Sequence, residues 1–262
     1  ATTATYDEAT EEFVSETPFR AATKEYIGNA ARDARAAVVF AQLITKGVKH
    51  GVHAFFVPVR DEAGEPMPGV SIEDDGYKGG LKGVDNGRLA FDSVRISRTN
   101  LLNRYGDVTA DGTYSSPIES PGRRFFTMLG TLVQGRVSLD GASVVASKIA
   151  LDIAVRYGLE RKQFTAGDEY AETTLLDYGQ HQRRLMPALA AVYASAFAHE
   201  KLLTSFEEVF AGADDSDENR ALLETRAAAF KADSTWMALD VIQECREACG
   251  GAGFMAENRL VG

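Results

Sequence analysis

The chain has 262 residues, of which 45% are apolar and 25% are charged, as in an ordinary globular protein that can bury a sizeable core. Its formal net charge of −10 argues against a duplex-binding surface, which needs clustered lysine and arginine, so we expect no nucleic-acid partner. No run of about 18 apolar residues is present, and we therefore expect no membrane span.

The first part of the chain has the pattern of short strands. Apolar or alternating runs, bounded by glycine, proline and polar turns, predict strands at 11–16, 36–44, 51–60, 70–72, 88–91 and 94–96. Because no helical pattern separates them, these strands predict an antiparallel sandwich or barrel.

After Pro117 and Pro121 the apolar residues recur with the helical period of 3.6. Three long stripes predict helices that begin near Leu129, Leu185 and Leu222, and the third ends at a Gly-Gly pair. Long helices joined by short polar turns favour an antiparallel bundle. The predicted fold class is therefore α+β, with a β domain over residues 1–117 and an α-helical bundle over 118–262.

The first long helix ends in the octet Tyr157–Phe164, which places an arginine, an amide and an aromatic ring close together. Arg161 supplies a forked cation suited to phosphate, Gln163 a donor and acceptor, and Phe164 an apolar face. Such a corner can hold an anionic, planar ligand. The same residues also suit a solvated helix end, where arginine and lysine interact favourably with the helix dipole.

Other motifs favour structural roles. The glycine-rich loop 76–83 lacks the spacing and the Lys-Ser/Thr ending of a phosphate loop. His181 has no second ligand at helical spacing, which favours a structural or solvated histidine over a metal ligand. Cys245 and Cys249 lie four residues apart on a helix without the partners of a zinc site, and we expect them to pack in the core. We predict no metal site.

Eight segments, in order along nearly the whole chain, resemble the acyl-CoA oxidase and acyl-CoA dehydrogenase superfamily, and the oxidase branch most closely. They lie at residues 26–43, 51–55, 85–89, 98–106, 111–114, 157–164, 175–185 and 244–251. The resemblance implies a β domain followed by a helical bundle, which agrees with the predicted architecture.

The resemblance implies FAD as the cofactor, bound between the β domain of one subunit and the bundle of its mate in a homodimer or higher homo-oligomer. The residues that it places against FAD are Arg161, Gln163 and Phe164 of the octet, Gly28 beside the flavin, and Gly250 and Gly251 at the turn after the last helix. Arg161 is expected against the pyrophosphate and Phe164 against the adenosine. Arg136 falls on the helix that faces the acyl-CoA cleft and is expected to contact substrate.

The implied reaction is α,β-dehydrogenation of a fatty acyl-CoA to trans-2-enoyl-CoA in fatty acid β-oxidation, with electrons passed to O2 to give H2O2. One alternative is an acyl-CoA dehydrogenase that uses an electron-transfer flavoprotein. Others are a non-catalytic paralogue that shares an FAD site and a flavin-free helical binding module. A bacterial protein would be cytoplasmic and a eukaryotic one peroxisomal.

The resemblance leaves the catalytic base unassigned. In the family this base is usually a glutamate in a segment after the Gly-Gly turn, so here it is expected beyond Gly262. A minority of relatives carry the base just before the position of Arg136, where this chain has Gly135, which cannot serve. We therefore expect the chain to be an internal portion of a longer protein and to be inactive alone.

Overall fold

A computed structural model describes residues 1–165, 171–214 and 216–261. The chain divides into two compact units, 1–129 and 130–262. This division falls later than the boundary at 117 expected from the sequence, because a short helix, α1 (Pro121–Met128), packs on the β unit.

The strands of the first unit follow the six predicted runs, and the structure adds four strands that were not predicted. They are β1 (Thr3–Asp7), β2 (Glu12–Glu16), β3 (Lys24–Gly28), β4 (Ala36–Thr45), β5 (Val48–Pro58), β6 (Val70–Asp74), β7 (Asn86–Phe91), β8 (Val94–Ser97), β9 (Asp107–Val108) and β10 (Tyr114–Ser115). The order β5-β4-β1-β2-β8 forms one sheet, and β3-β7-β6 forms another.

The prediction of a β domain followed by helices is confirmed, with a correction to the strand pairing. In the five-stranded sheet β1 pairs with β4 in parallel, while its other pairs are antiparallel. The parallel pair arises because the chain makes a long crossover, through β2 and β3, before β4 returns beside β1. Within the described residues the sheets do not close into a barrel.

The core of the β unit consists of aromatic and aliphatic side chains from alternate strand positions. Phe13 and Phe55 are fully buried, with ring centroids 5.0 Å apart in an edge-to-face arrangement. Along β4, buried Val39, Ala41 and Leu43 alternate with more exposed residues. Burial of each large apolar side chain adds about 1.5–3 kcal/mol to the free energy of unfolding, so this face stabilises the unit.

Arg124 fastens α1 to the β unit. Its side chain is 2% exposed and donates to the backbone carbonyls of Ile118, at 2.9 Å, and of His50. Helix α1 begins at Pro121, and the Ser120 side chain caps it by accepting from a backbone N–H of its first turn. These contacts explain why the boundary lies after α1.

Next to Arg124, His53 is buried in a polar network. A carbonyl can only accept, so His53 Nδ1–H donates to Gly51 O at 3.1 Å, and Tyr114 OH then donates to Nε2 at 3.0 Å. This arrangement corresponds to the neutral ring with its proton on Nδ1. Burial lowers the pKa of His53 to about 4. The hydrogen bond to Gly51 acts against this shift, and the nearby charge of Arg124 adds to it.

We expect the β unit to lose stability in mild acid through His53. Because the pKa of His53 is about 6.5 in the unfolded chain and about 4 in the folded one, the unfolded state binds more protons between these values. The free energy of unfolding should fall as the pH drops from 6.5 towards 4, by on the order of 2–3 kcal/mol. Thermal unfolding across this range measures the effect. In the variant His53→Gln the acid-dependent part should be reduced; an unchanged pH slope would contradict the assignment.

The second unit is built on three long helices, as predicted. They are α2 (Leu132–Glu160), α3 (Gly179–Phe210) and α4 (Asp217–Ala248), and a hairpin of β11 (Lys162–Thr165) and β12 (Glu172–Thr174) joins α2 to α3. Gly141 lies against His199 and Gly158 against His181, so α2 and α3 run antiparallel. Within the described part of the chain, none of the helices has the length and apolarity needed to cross a membrane.

Candidate functional site

The corner after α2 is formed where the helix changes into the hairpin. The backbone N–H of Arg161 donates to Tyr157 O at 2.8 Å, which continues the helical hydrogen bonding by one residue. The carbonyl of Arg161 accepts from Leu175 N at 2.8 Å, which begins the pairing of the hairpin. Arg161 thus belongs to both elements, and its exposed side chain leaves from the junction.

The hairpin presents its side chains outward at this junction. The register of β11 with β12 shifts between Lys162 and Thr165, as in a β-bulge, which can re-aim a side chain. Within the shift, Phe164 has φ of +57°, a left-handed conformation that is rare for an aromatic residue. Its ring is 69% exposed. A strained, exposed aromatic residue is typical of a ligand-contacting position.

Tyr178 holds this hairpin in place. Its hydroxyl donates to the carbonyl of Gln163 at 2.6 Å. A two-stranded hairpin is marginally stable alone, so this bond and the Leu175–Arg161 bond supply support that the strands lack. Tyr178 is also the residue that precedes α3, so the hairpin is linked to the start of that helix.

We expect Tyr178→Phe to loosen the corner with little effect on the bundle. The substitution removes one hydrogen bond of about 1 kcal/mol and keeps the ring. Backbone amide exchange in residues 161–165 should become faster, whereas exchange in the middle of α2 should not change. Amide exchange measured by mass spectrometry tests this, with Tyr193→Phe on the exposed face of α3 as the control. Unchanged protection of 161–165 would show that the bond does not hold the hairpin.

Helix α4 ends beside the same corner. Gly250 follows it with φ of +56°, a conformation that favours glycine. Arg184 on α3 donates to Glu244 Oε2 and to Glu247 Oε2 of α4, both at 2.6 Å. The hydrogen bonds to Glu244 and then Glu247 raise the pKa of Arg184, and Arg184 holds the pKa of Glu247 below its usual range. This ion-pair network ties α3 to α4 near the turn.

Together these elements line an open pocket of about 390 Å³, near the lower end of ligand-site volumes and suited to part of a large ligand. Its lining comes from the end of α2, the hairpin, the start of α3 and the end of α4. The residues are Tyr157, Arg161, Gln163, Phe164, Leu175, Tyr178, Gln180, His181, Arg184, Glu247, Ala248 and Gly250.

Three features of this pocket suit a phosphorylated ligand that carries an aromatic base. Among the described residues, none forms an ion pair with the Arg161 guanidinium, whereas Arg184 is held by two carboxylates. The N-terminus of α3 opens at Gly179 without a side-chain cap, and uncapped helix N-termini attract phosphate. Phe164 adds an exposed aromatic face for the base or the sugar. A cation without an ion-pair partner among the described residues, an uncapped helix N-terminus and an apolar face are groups that such a ligand can use.

The structure brings together four of the residues selected from the sequence. Arg161, Gln163, Phe164 and Gly250 all line the pocket, although Gly250 is distant from the others in the chain. Gly251 is the next residue but is absent from the lining, and among the described residues, its chain neighbours apart, a Cβ there would meet no atom within 4 Å.

Two further residues selected from the sequence lie elsewhere. Gly28 ends β3 in the first unit. Among the described residues, its chain neighbours apart, no atom lies within 4 Å of the position that its Cβ would take, so packing against them does not require glycine there. Arg136 is exposed in the second turn of α2. With about 1.5 Å of rise per residue, it is roughly 36 Å along the helix from the corner, too far to share the pocket.

Sequence reasoning missed the residues that support the corner. Arg184 meets Glu244 and Glu247 across two helices, and Tyr178 reaches back to Gln163, so their roles depend on tertiary structure. The signal available was the cluster of polar residues around Tyr178 just before a helical stripe.

The cysteines prove to be core residues. Cys245 and Cys249 are free and buried among apolar side chains of the bundle. Burial, with a smaller contribution from Cys249, raises the pKa of the Cys245 thiol to about 12, so it is a poor nucleophile. Across the three described ranges, no group of three or more potential ligand side chains is placed to hold a metal ion.

Comparison with known proteins agrees with this architecture. A family model described as the acyl-CoA oxidase C-alpha1 domain matches residues 129–262, which are the second unit and the last residue of the first. Peroxisomal acyl-coenzyme A oxidase 3 of Arabidopsis thaliana is 44% identical over 261 residues, covering 100% of this chain and 38% of that protein. The chain thus spans well under half the length of this relative.

Solved structures give the same result. Acyl-CoA oxidase 1 of Yarrowia lipolytica superposes with a TM-score of 0.87 at 37% identity, covering 99% of this chain and 39% of that one. Acyl-CoA oxidase-1 of Caenorhabditis elegans, solved in complex with FAD and ATP, gives 0.86 at 35% identity, covering 99% and 38%. The resemblance found in the sequence is confirmed, and this chain belongs to the acyl-CoA oxidase family.

Proposed function

We propose that this chain is part of an FAD-dependent acyl-CoA oxidase that converts a fatty acyl-CoA to trans-2-enoyl-CoA and reduces O2 to H2O2. The observation that carries the proposal is the corner pocket, in which Arg161, Gln163, Phe164 and Gly250 converge with the uncapped N-terminus of α3. A pocket of this composition suits the adenosine diphosphate part of FAD, the cofactor present in the Caenorhabditis elegans relative.

The residues of the pocket have distinct roles in this proposal. Arg161 binds the diphosphate by charge-assisted hydrogen bonds, and Phe164 packs against the adenosine. Gln163 offers a donor and an acceptor, and Gly250 lets the ligand approach the backbone. FAD, when bound, supplies the two-electron redox chemistry, while the protein positions it and excludes water.

The protein is proposed to act as a homodimer or higher homo-oligomer. In this arrangement the corner pocket binds the adenosine part of the FAD whose flavin lies on the β unit of the partner, where Gly28 is proposed to approach the ring. The β unit and the bundle then correspond to the middle domain and the first bundle domain of the enzyme. Arg136 is proposed to contact the acyl-CoA, and the general base is proposed to come from residues outside this chain.

A peroxisomal location is also proposed. Its support is that the Arabidopsis thaliana oxidase, whose match covers 100% of this chain, is described as peroxisomal.

Peroxide release tests the oxidase proposal. The full-length gene product, mixed with a saturated fatty acyl-CoA in air, should form H2O2 and the trans-2-enoyl-CoA in equal amounts, measured by a coupled peroxidase assay and by chromatography. Turnover only with an artificial electron acceptor would instead identify a dehydrogenase. A flavin-containing protein without turnover under either condition would identify a non-catalytic paralogue.

A further inference from the structure

His181 occupies an unusual position in the corner pocket. It lies in the first turn of α3, and its ring packs against α2 at Gly158. A Cβ at Gly158 would be 3.2 Å from His181 Nε2, so the absence of a side chain there is what allows the ring to sit so close. Nε2 is buried and has no hydrogen-bond partner among the described residues.

The packing on Gly158 determines where the ring carries its proton. The atoms recorded around the Cβ position of Gly158, besides Nε2 itself, are carbons of Leu176, and carbon offers no acceptor to an N–H, so the buried Nε2 suits the unprotonated nitrogen. The proton is therefore assigned to Nδ1. Burial, and then the charge of Arg184, lower the pKa of His181, which keeps the ring neutral.

His181 lines the same pocket as Arg161. Nδ1 makes no hydrogen bond to any described residue, although His181 lines the pocket. Arg161 follows Gly158 by three residues at the end of α2, a spacing that places side chains on the same helix face about 5–6 Å apart. His181, packed on Gly158, is thus close to the base of the Arg161 side chain. Arg184, by contrast, is paired with Glu244 through Nε and with Glu247 through Nη2.

We propose that His181 is a second nucleotide-recognition residue, whose Nδ1–H donates to an oxygen of the diphosphate or ribose that Arg161 binds. The inference rests on the proposed function and adds to it a neutral donor next to the cation. It changes the interpretation of His181 from a structural residue to a ligand-binding one, with Gly158 as the residue that orients it.

The test uses the full-length protein with its FAD removed, and measures the affinity for ADP and for adenosine by titration calorimetry. His181→Phe keeps an aromatic ring and removes the donor, and should weaken ADP binding about tenfold. His181→Gln retains a donor and should lose less. Gly158→Ala leaves the histidine in place but crowds Nε2, so it should also weaken ADP binding. The control is Arg156→Ala, which changes an exposed residue that is paired with Asp152 and does not line the pocket.

A loss confined to ADP assigns the diphosphate, and a loss shared with adenosine assigns the ribose. If His181→Phe binds ADP as tightly as the wild type, the inference is overturned while the proposed function stands. If His181→Phe fails to fold, Gly158→Ala decides in the same way. A wild type that binds neither ADP nor FAD overturns both.

Discussion

Arg161→Ala should weaken FAD binding by the full-length protein roughly 10- to 100-fold, the equivalent of the 1.5–3 kcal/mol expected for a hydrogen bond to a charged group. The apoprotein should unfold with almost the same free energy, within about 0.5 kcal/mol, because the side chain is exposed and has no ion-pair partner among the described residues. Fluorescence titration of apoprotein with FAD measures the first quantity, and chemical denaturation the second.

The matched control is Arg156→Ala, five residues earlier on the same helix. Arg156 is 74% exposed and is paired with Asp152, with its Nε 2.8 Å from Oδ1, so its removal changes the net charge equally without touching the pocket. FAD affinity should be that of the wild type. Equal losses in the two variants would mean that general charge, and not a contact by Arg161, attracts the cofactor.

Gly253→Ala should destabilise the end of the bundle by roughly 3 kcal/mol or more, as a substitution that forces backbone to move. After α4 the chain folds back over its last turns, and a Cβ at Gly253 would lie 1.9 Å from the carbonyl oxygen of Arg246. A backbone oxygen cannot rotate away as a side chain can. The movement would displace Gly250 from the pocket, so FAD affinity should fall with the melting temperature.

Gly251→Ala, two residues away, is the control for this effect. A Cβ there meets no atom within 4 Å, so the melting temperature should stay within a degree or two of the wild type. The same variant tests whether Gly251 contacts FAD as the family resemblance implies, because a reduced FAD affinity in a stably folded protein would locate that contact. An equally stable Gly253→Ala protein would contradict the close packing at the end of α4.

The long elements could be predicted because burial imposes a period on the sequence. In β4 buried residues alternate, and in α2 to α4 apolar residues recur at helical spacing. Strand β1 lies in the middle of its sheet, yet the sequence did not predict it. Its buried positions include the small Ala4 and Tyr6, whose ring ends in a hydroxyl, so hydrophobicity differs little between its buried and exposed positions. Its parallel partner β4 is more than thirty residues away, a pairing that no local pattern indicates.

The candidate site was predicted in part for a similar reason. The corner after α2 could be predicted as a ligand site, because an arginine and an aromatic ring at a helix end suit a phosphorylated ligand. The hairpin that carries Gln163 and Phe164 was expected to be a helix end and a polar turn, because its first strand is exposed throughout and has no burial pattern. The sequence predicts that turn at 165–170, and all of it except residue 165 lies outside the described residues.

The amount of FAD bound by the purified full-length protein tests the central claim most directly. If the corner pocket binds the adenosine diphosphate part of FAD, the wild type should be yellow and carry stoichiometric flavin, and Arg161→Ala, prepared in parallel, should lose it during gel filtration. A colourless wild type that takes up no FAD, or an Arg161→Ala protein that retains flavin as fully as the wild type, would contradict the account.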